Sequence, residues 1–263
     1  MSNQAFWYGS SLAAVVAGDE LELGGPEGHH ASNVKRIAVG EQVDLVDGEG
    51  HRAVTEVTAT SKSGLSLKAL QLHTEAAPRF PVTLVQALAK GDRDLQAVES
   101  AVELDVSHVV PWQSERSIVK WPADRAAKAL AKWESLILSA TKQSRRSFRP
   151  SVETAITSTQ LKRRIGEWTA DGSLVVILHE AENNALAHVV SAYLNQRTAQ
   201  GGLEDASGAV VLIVGPEGGI SPQEIEKFTQ AGAVPALLGR NVLRSSSAGP
   251  AAMVLVRHLT GEL

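Results

Sequence analysis

From residue 82 to the C-terminus, short apolar runs alternate with segments in which apolar residues recur every three or four positions. Short apolar runs are typical of buried strands, and the longer period is typical of amphipathic helices. The predicted strands are residues 82–88, 108–110, 174–178, 209–214 and 234–238, and the predicted helices are residues 92–105, 122–142, a helix that begins just after 221, and 245–256. This alternation favours an α/β domain whose mostly parallel sheet is covered by helices on both faces.

The N-terminal part of the chain has a β-rich pattern instead. Residues 42–46 and 51–57 are predicted strands on either side of the turn sequence Asp47-Gly48-Glu49-Gly50, and residues 65–70 are a further predicted strand. Because a lone hairpin is barely stable, these strands predict a small barrel or sandwich. A polar segment bracketed by prolines, residues 74–81, separates this part from the rest. The predicted domains are therefore residues 1–76 and 77–263.

A glycine-rich loop follows the strand predicted at residues 209–214. The loop reads Gly215-Pro216-Glu217-Gly218-Gly219, and Ser221, Pro222 and Glu224 then supply a helix N-cap, a first-turn proline and a capping-box partner. Two strand-loop-helix units in tandem place two loops at strand C-terminal ends, where open α/β sheets bind ligands. The same letters GPEG recur at residues 25–28, so the loop by itself is equally compatible with a plain turn.

Composition excludes several classes of chemistry. The chain has no cysteine, which removes disulfides, thiolate metal sites and a cysteine nucleophile. Its 8 histidines form no H-E-x-x-H pattern, and neither a G-x-G-x-x-G nor a P-loop sequence follows a predicted strand. No metal site is predicted, and a nicotinamide-dependent oxidoreductase is disfavoured. With no run of eighteen apolar residues and no basic segment before residues 12–17, the chain is expected in the cytoplasm.

Charge is unevenly distributed along the chain. The net charge is −4, yet the segment 142–164 carries seven basic residues against the single acid Glu153. The segment is compatible with a solvated helix end followed by a surface helix, and equally with a patch that contacts RNA phosphates. The sequence leaves both interpretations open.

Seven blocks of sequence resemble, in order, the bacterial 16S ribosomal RNA (uracil-N(3))-methyltransferases of the SPOUT class. The blocks are HHASNVKRI (29–37), ALAKGDRDLQAVESAVELDV (87–106), PWQSERSIVKW (111–121), TKQSRRSFRP (141–150), LHEAE (178–182), VGPEGGIS (214–221) and LLGRNVLRSSSAG (237–249). The resemblance covers nearly the whole chain. It implies an N-terminal PUA-like β-barrel and a C-terminal SPOUT domain, whose parallel sheet carries a trefoil knot. It also implies a homodimer that binds S-adenosylmethionine in its knotted loops.

The resemblance implies that the loops after three strands enclose the cofactor. The residues assigned to it are Leu178, His179, Glu180, Gly215, Pro216, Glu217, Gly218, Gly219, Leu237, Leu238, Gly239, Val242, Leu243 and Ala248. Glycines suit such a site because side chains would block a close approach of ligand to backbone. Glu180 and Glu217 are plausible partners of ribose hydroxyls, although both also fit solvated loop acids.

Methylation at uracil nitrogen 3 needs positioning and stabilisation of an anion, and it does not need a thiolate. Arg244 is the predicted contact to the uracil, with a salt bridge inside the domain as the alternative, and Arg116 is predicted to join it in catalysis. The residues predicted to contact RNA are Arg36, Lys90, Arg145, Arg146 and Arg149. The expected partner is 16S ribosomal RNA or the small ribosomal subunit, and the apolar helix at residues 251–256 is predicted to form the homodimer.

Two alternatives remain open on sequence grounds. The first is a SPOUT methyltransferase with another RNA target, such as a transfer-RNA ribose. The second is a non-catalytic RNA-binding protein of ribosome assembly that keeps the fold and binds the donor without transferring its methyl group.

Overall fold

The computed structural model describes residues 3–201 and 208–263. The chain divides into two compact units, of which unit 1 combines the residues up to Ala77 with Leu138–Arg149, and unit 2 combines Pro78–Ile137 with Pro150–Leu263. The sequence prediction assigned residues 138–149 to the second domain. Hydrogen bonds hold this segment in unit 1, since the backbone N–H of Gly50 donates to Ser147 O at 3.1 Å and that of Arg149 donates to Gly48 O at 3.0 Å.

Unit 1 is built on a five-stranded sheet. Its strands are β1 (Gln4–Trp7), β2 (Glu20–Leu23), β3 (Gln42–Val46), β4 (His51–Ser61) and β5 (Gly64–Thr74), in the order β1-β3-β4-β5-β2. The predicted β3–β4 hairpin is confirmed, because Gln42 pairs with Glu56 and Val46 with Arg52 in antiparallel register. A short helix, α1 (Gly25–His29), continues into one π-helical turn at His30–Val34. Closure of this sheet into a barrel stays a prediction.

Unit 2 contains a seven-stranded sheet in which every pairing is parallel. Its strands are β6 (Val82–Ala87), β7 (His108–Gln113), β8 (Ser151–Val152), β9 (Ile156–Thr157), β10 (Leu174–Leu178), β11 (Val210–Val214) and β12 (Val234–Ala236). The order is β12-β10-β11-β6-β7-β8, with β9 also paired to β7. The prediction of a parallel sheet is confirmed. The near-continuous Val, Ile and Leu of β10 and β11 suit strands that are buried on both faces.

Helices cover both faces of this sheet. The helices are α2 (Arg93–Glu103), α3 (Ala123–Gln143), α4 (Ser158–Ala170), α5 (Leu186–Gly201), α6 (Pro222–Gln230) and α7 (Ser245–Thr260). Leu161 and Ile165 of α4 and Phe228 of α6 pack into one core with β10 and β11. Helices α2 and α7 pack against each other and against β6, and α5 packs against α7. Within the described residues, no helix is long and apolar enough to cross a membrane.

Helix α5 was not predicted, and α4 was anticipated only in the open interpretation of segment 142–164 as a helix end followed by a surface helix, although both carry readable signals. Helix α4 begins with a capping box, in which Thr157 accepts a hydrogen bond from the backbone N–H of Gln160 and the Gln160 side chain accepts one from that of Thr157. Helix α5 buries Leu186, Val189, Val190 and Tyr193, which follow the i, i+3, i+4, i+7 spacing of a helix face. Both lie between strands, so they complete the alternation from which the fold was inferred.

Candidate functional site

Four neighbouring strands of unit 2 end at the same edge of the sheet. Because β12, β10, β11 and β6 are adjacent and parallel, the loops that follow them converge there. They enclose a cavity of about 320 Å³, a size within the roughly 300–1,000 Å³ range of small-molecule sites. The residues that line the cavity are Arg93, Leu178, His179, Glu180, Val214, Gly215, Pro216, Glu217, Gly219, Ile220, Val242, Leu243, Arg244, Ser245 and Ala248.

The conformation of the loop after β11 requires glycines, and a helix cap ends the loop. Gly219 donates its N–H to Pro216 O at 2.9 Å and adopts φ +70°, a region that favours glycine. A Cβ on Gly215 would lie only 2.6 Å from Cγ1 of Ile220. The loop ends at Ser221, whose Oγ accepts from the backbone N–H of Glu224 at 3.1 Å, so the predicted capping box is confirmed.

The buried carboxylate of Glu224 holds the end of the same loop. Glu224 is fully buried, and its two oxygens accept hydrogen bonds from the backbone N–H of Ser221 at 3.0 Å, from that of Glu115 at 2.8 Å and from the hydroxyl of Ser158 at 2.5 Å. These three donors come from segments far apart in sequence. Glu224 therefore fixes the start of α6 relative to α4 and to the segment after β7, which a capping motif alone does not predict.

Backbone hydrogen bonds join the loops after β10 and β12. His179 N–H donates to Ala236 O at 3.0 Å, Leu237 N–H donates to Asn184 O at 2.8 Å, and Leu186 N–H donates to Leu237 O at 2.8 Å. The two loops therefore form one ordered wall of the cavity.

Glu217 connects the loop after β11 to the loop after β6. Its Oε1 accepts from the backbone N–H of Lys90 at 3.1 Å and from the guanidinium of Arg93 at 3.2 Å. Arg93 was not predicted as a site residue, although it lies in the first turn of the predicted helix 92–105 and inside a quoted block. Its contact with Glu217 gives that carboxylate a structural role in addition to any contact with a ligand.

Asp94, in the first turn of α2, holds the loop after β6. Its carboxylate is buried and accepts hydrogen bonds from the backbone N–H groups of Ala89 at 3.2 Å and Leu95 at 2.8 Å. Burial raises the pKa of Asp94 above its usual value, and the nearby charge of Asp92 adds to this. The carboxylate is thus an internal tie of the loop and does not line the cavity.

Arg116 and Gly218 meet on the outer side of the glycine-rich loop. The Arg116 guanidinium donates to Gly218 O at 3.0 Å. A Cβ on Gly218 would lie 3.4 Å from Cβ of Arg116, which is an ordinary van der Waals distance. Both residues line a neighbouring hollow of about 550 Å³ that shares His179, Glu180 and Glu217 with the cavity.

Arg244 is the N-cap residue of α7 and lines the cavity. Within residues 3–201 and 208–263, no hydrogen bond or ion pair engages its exposed guanidinium, so the alternative of a salt bridge inside the domain is not what the structure shows. The next residue, Ser245, is 7% exposed and its Oγ has no hydrogen-bond partner there. A buried hydroxyl on the wall of a cavity is suited to bind a polar ligand atom.

The predicted cofactor residues all lie at this edge of the sheet. Ten of them line the 320 Å³ cavity, Gly218 lines the neighbouring hollow, and Leu237, Leu238 and Gly239 line a smaller hollow of about 70 Å³ that shares Leu178, His179 and Glu180. Their roles stay predictions. The residues that the sequence prediction omitted are Arg93, Val214, Ile220, Asn241 and Ser245. All five stood inside quoted blocks, so adjacency to the predicted residues was the available signal.

The residues predicted to contact RNA fall into both units. Arg36, Arg145, Arg146 and Arg149 belong to unit 1, and Lys90 belongs to unit 2. The guanidinium of Arg149 lies over the Trp7 ring, 5.3 Å from its centroid. Further along the basic segment, Arg164 pairs with Glu153 at 2.9 Å, so this end of the segment is engaged within the protein.

One cluster in unit 1 has the composition of a metal site. Asp47, Glu49 and His51 offer ligand atoms within 4.8 Å of one another. Burial by itself would raise the pKa of Asp47, but hydrogen bonds from the backbone of Leu12, Glu49 and His51 and from the His51 ring outweigh it, so the pKa lies below its usual value. The carboxylate thus organises the β3–β4 turn. The absence of a metal stays a prediction.

Comparison with known proteins gives concordant matches along the chain. Residues 75–257 match a family model described as an RNA methyltransferase domain, and residues 23–70 match one described as an RNA methyltransferase PUA domain. The chain is 37% identical to the ribosomal RNA small subunit methyltransferase E of Mycobacterium tuberculosis, over 96% of this chain and 89% of that protein. It is 27% identical to the protein of the same name from Bacillus subtilis, over 91% and 90%.

A solved structure is similar over the same length. The crystal structure of the ribosomal RNA small subunit methyltransferase E of Neisseria gonorrhoeae, bound to S-adenosyl methionine, superposes with a TM-score of 0.81. The two chains are 27% identical, and the match covers 98% of each.

Proposed function

This chain belongs to the RNA methyltransferase family, and we propose that it transfers a methyl group from S-adenosylmethionine to ring nitrogen 3 of a uridine in 16S ribosomal RNA. The observation that carries the proposal is the cavity at the edge of four parallel strands, with Arg244 at its rim, whose guanidinium has no partner among the described residues. The relatives named for small-subunit ribosomal RNA methylation support the substrate class. The choice of nitrogen 3 rests on the resemblance of the seven sequence blocks and on the chemistry below.

The residues of the cavity fit S-adenosylmethionine. Ser245 presents a buried hydroxyl that has no partner among the described residues, Glu180 and Glu217 present carboxylates that can accept hydrogen bonds from ribose hydroxyls, and Gly215 lines the cavity with backbone alone. When bound, the cofactor would supply an electrophilic methyl group. The similar Neisseria protein, whose structure contains this molecule, supports the assignment.

The reaction requires the protein to position the acceptor nitrogen and to stabilise the negative charge that forms on the uracil. Methyl transfer is an in-line displacement, so most of the acceleration comes from holding the acceptor nitrogen close to the methyl carbon and aligned with it. Loss of the proton from nitrogen 3 leaves an anion whose charge spreads onto the neighbouring carbonyl oxygens. Arg244 is always charged and has donors to spare, so it is suited to bind such an oxygen. Arg116 holds the glycine-rich loop through Gly218 O and is placed as a positioning residue.

The proposal includes the organisation of the whole protein. We assign residues 1–76, together with the segment 138–149 that joins them in unit 1, to a PUA-like barrel that binds RNA, and the rest of residues 77–263 to a SPOUT domain with a trefoil knot, working as a homodimer in the cytoplasm. Exposed apolar side chains support pairing through α7 and the loop before it, since Val254 is 39% exposed, Leu243 42% and Val242 76%. Surfaces of this kind are commonly buried between two-fold related copies.

Deleting the gene for this chain tests the function directly. We expect mass spectrometry of 16S ribosomal RNA from the deletion strain to show the loss of one 3-methyluridine, and a plasmid copy of the wild-type chain to restore it. Loss of a ribose methyl group would instead identify a SPOUT enzyme with another target. An unchanged set of RNA modifications together with normal binding of the donor would identify the non-catalytic alternative.

Replacing Gly218 by valine tests the cofactor site. The fold accommodates a Cβ at this position, 3.4 Å from Cβ of Arg116, so the two further methyl groups of valine crowd Arg116 and the glycine-rich loop while the rest of the fold is left in place. We expect calorimetry to show S-adenosylmethionine affinity lowered about 5- to 100-fold, the equivalent of an overpacked contact of about 1–3 kcal/mol. Gly218→Ala should show a smaller loss.

Gly166→Val is the matched control for that experiment. Gly166 lies on α4, where a Cβ would meet nothing within 4 Å, and it lines none of the three hollows. The Gly166→Val variant should bind the cofactor with the affinity of the wild type. Unaltered affinity of a folded Gly218→Val protein would remove Gly218 from the site.

A further inference from the structure

Unit 1 contains a hollow of its own, which the proposed cofactor site does not use. It has a volume of about 630 Å³ and is formed by β1, the segment of α1 and the π-helical turn, and the last residues of α3. Its size falls in the range of sites that enclose one small molecule or one nucleotide. Three kinds of side chain meet there: cations, an imidazole ring and two carboxamides.

The hollow carries excess positive charge. Lys35, Lys142 and Arg145 line it against a single acid, Glu27. Lys142 is paired with Glu27 at 2.5 Å, and the other Glu27 oxygen accepts from the backbone N–H of Trp7 at 3.2 Å. Within the described part of the chain, no contact engages the charged groups of Lys35 and Arg145. Two cations are therefore available to an anion in a wall whose only acid is already neutralised.

An aromatic surface lies in the same wall. The ring of His30 packs on that of Phe6 with 6.5 Å between centroids and an interplanar angle of 59°. Phe6 is 2% exposed and belongs to the core of unit 1, so it holds the His30 ring in place while His30 itself stays half-buried. A fixed, partly exposed imidazole is a suitable stacking platform for an unstacked base.

Arg145 adopts a backbone conformation in which glycine is the usual residue. Arg145 follows the C-terminal end of α3 with φ +57°, in the left-handed region where glycine is the usual residue. Its N–H donates to Lys142 O at 3.1 Å, which closes the last turn of the helix. Arginine at this position costs conformational energy that glycine would not, and it places a guanidinium at the rim of the hollow.

We propose that this hollow binds one unstacked nucleotide of single-stranded RNA. The base stacks on His30, the carboxamides of Gln4 and Gln143 reach its edge, and Lys35 with Arg145 binds the flanking phosphates. The inference rests on the proposed function only in that the partner is RNA. Of the predicted RNA contacts, Arg145 lines the hollow, and Arg36, Arg146 and Arg149 do not.

Two matched pairs of variants in the full-length protein test the proposal. Arg145→Gly removes one cation and relaxes the backbone, and Lys62→Gly removes one exposed cation from a turn of the same unit that does not line the hollow. His30→Ala removes the stacking ring, and His29→Ala changes its exposed neighbour outside the hollow. The probe is a short fluorescein-labelled single-stranded RNA, compared with the same sequence held in a duplex, and binding is measured by anisotropy at several salt concentrations.

Stacking and phosphate contact predict different responses. His30→Ala should weaken single-strand binding about 5- to 100-fold without changing its salt dependence, as expected for one lost base stack. Arg145→Gly should weaken binding and reduce the slope of log affinity against log salt by about 0.7, the value for one phosphate of a single strand. His29→Ala should bind like the wild type, and Lys62→Gly should keep the affinity and the salt slope of the wild type.

If the two variants of either pair lost RNA affinity equally, the proposal would be overturned. Such a result would mean that the loss does not depend on whether the replaced side chain lines the hollow. Equally strong binding of the duplex would overturn it as well. The measurement contains no methyl donor, and donor affinity of each variant is determined separately by calorimetry. A failure of the proposed methyl transfer therefore leaves the RNA-binding result readable, and a failure of the RNA-binding result leaves methyl transfer untouched.

Discussion

Arg244→Ala is expected to lower kcat for methyl transfer about 100- to 1,000-fold while leaving S-adenosylmethionine affinity close to that of the wild type. The magnitude is that observed on removing one donor to a developing oxyanion. Arg244 is suited to this role because it is exposed at the cavity rim and unpaired within the described residues, so truncation breaks no internal ion pair. Single-turnover rates on small ribosomal subunits, with calorimetry of donor binding, separate the two effects.

Two further variants define what Arg244 contributes. Arg240→Ala removes the same charge from an exposed position in the same loop, outside the three hollows, and should keep nearly full activity. Arg244→Lys keeps the charge but loses the forked donor geometry, so an intermediate rate is expected. A rate for Arg244→Ala that equals the wild-type rate would exclude contact with the developing charge, and an equal loss for Arg240→Ala would indicate a general electrostatic effect.

Arg257→Ala is expected to lower the free energy of unfolding by about 3–5 kcal/mol, as when one partner of a buried ion pair is removed. Arg257 lies on α7 and is 1% exposed. Its guanidinium pairs with Glu262 at 2.7 Å and with the Asp105 carboxylate at 3.0 Å, and it donates to the carbonyl oxygens of Phe80, at 3.2 Å, and of Asp105. Truncation would leave these acceptors without their donor and open a cavity.

Urea unfolding measures this loss, and Arg125→Ala supplies the comparison. Arg125 pairs with Asp124 at 3.5 Å, but both side chains are more than 70% exposed, so the change should cost no more than about 0.5 kcal/mol. A loss below about 1 kcal/mol for Arg257→Ala would mean that the site relaxes or that water replaces the guanidinium. Donor affinity of the folded fraction should stay near normal, since Arg257 does not line the cavity.

The conformation of the loop after β11 was predictable because local signals specify it. The loop after β11 is specified by glycines and by the Ser221–Glu224 capping box, and these signals lie within ten residues of one another. Arg93 and Ser245 were missed, although both stood inside quoted blocks, because no local pattern shows what either side chain meets. Arg93 enters the site through a contact with Glu217, and Ser245 through burial of a hydroxyl that other serines of the same run do not share.

Sequence by itself determined the two classes of architecture, most of the strands and helices, and the loops that carry the site, because periodicity, capping and glycine conformation act over a few residues. The tertiary structure alone decided the strand order that brings together loops more than a hundred residues apart, such as those after β6 and β12. It also decided that residues 138–149 join unit 1, that Arg257 is buried, and that Lys35, His30 and Arg145 share one hollow. These features depend on packing between distant segments, and no local pattern encodes which distant side chain a residue will meet.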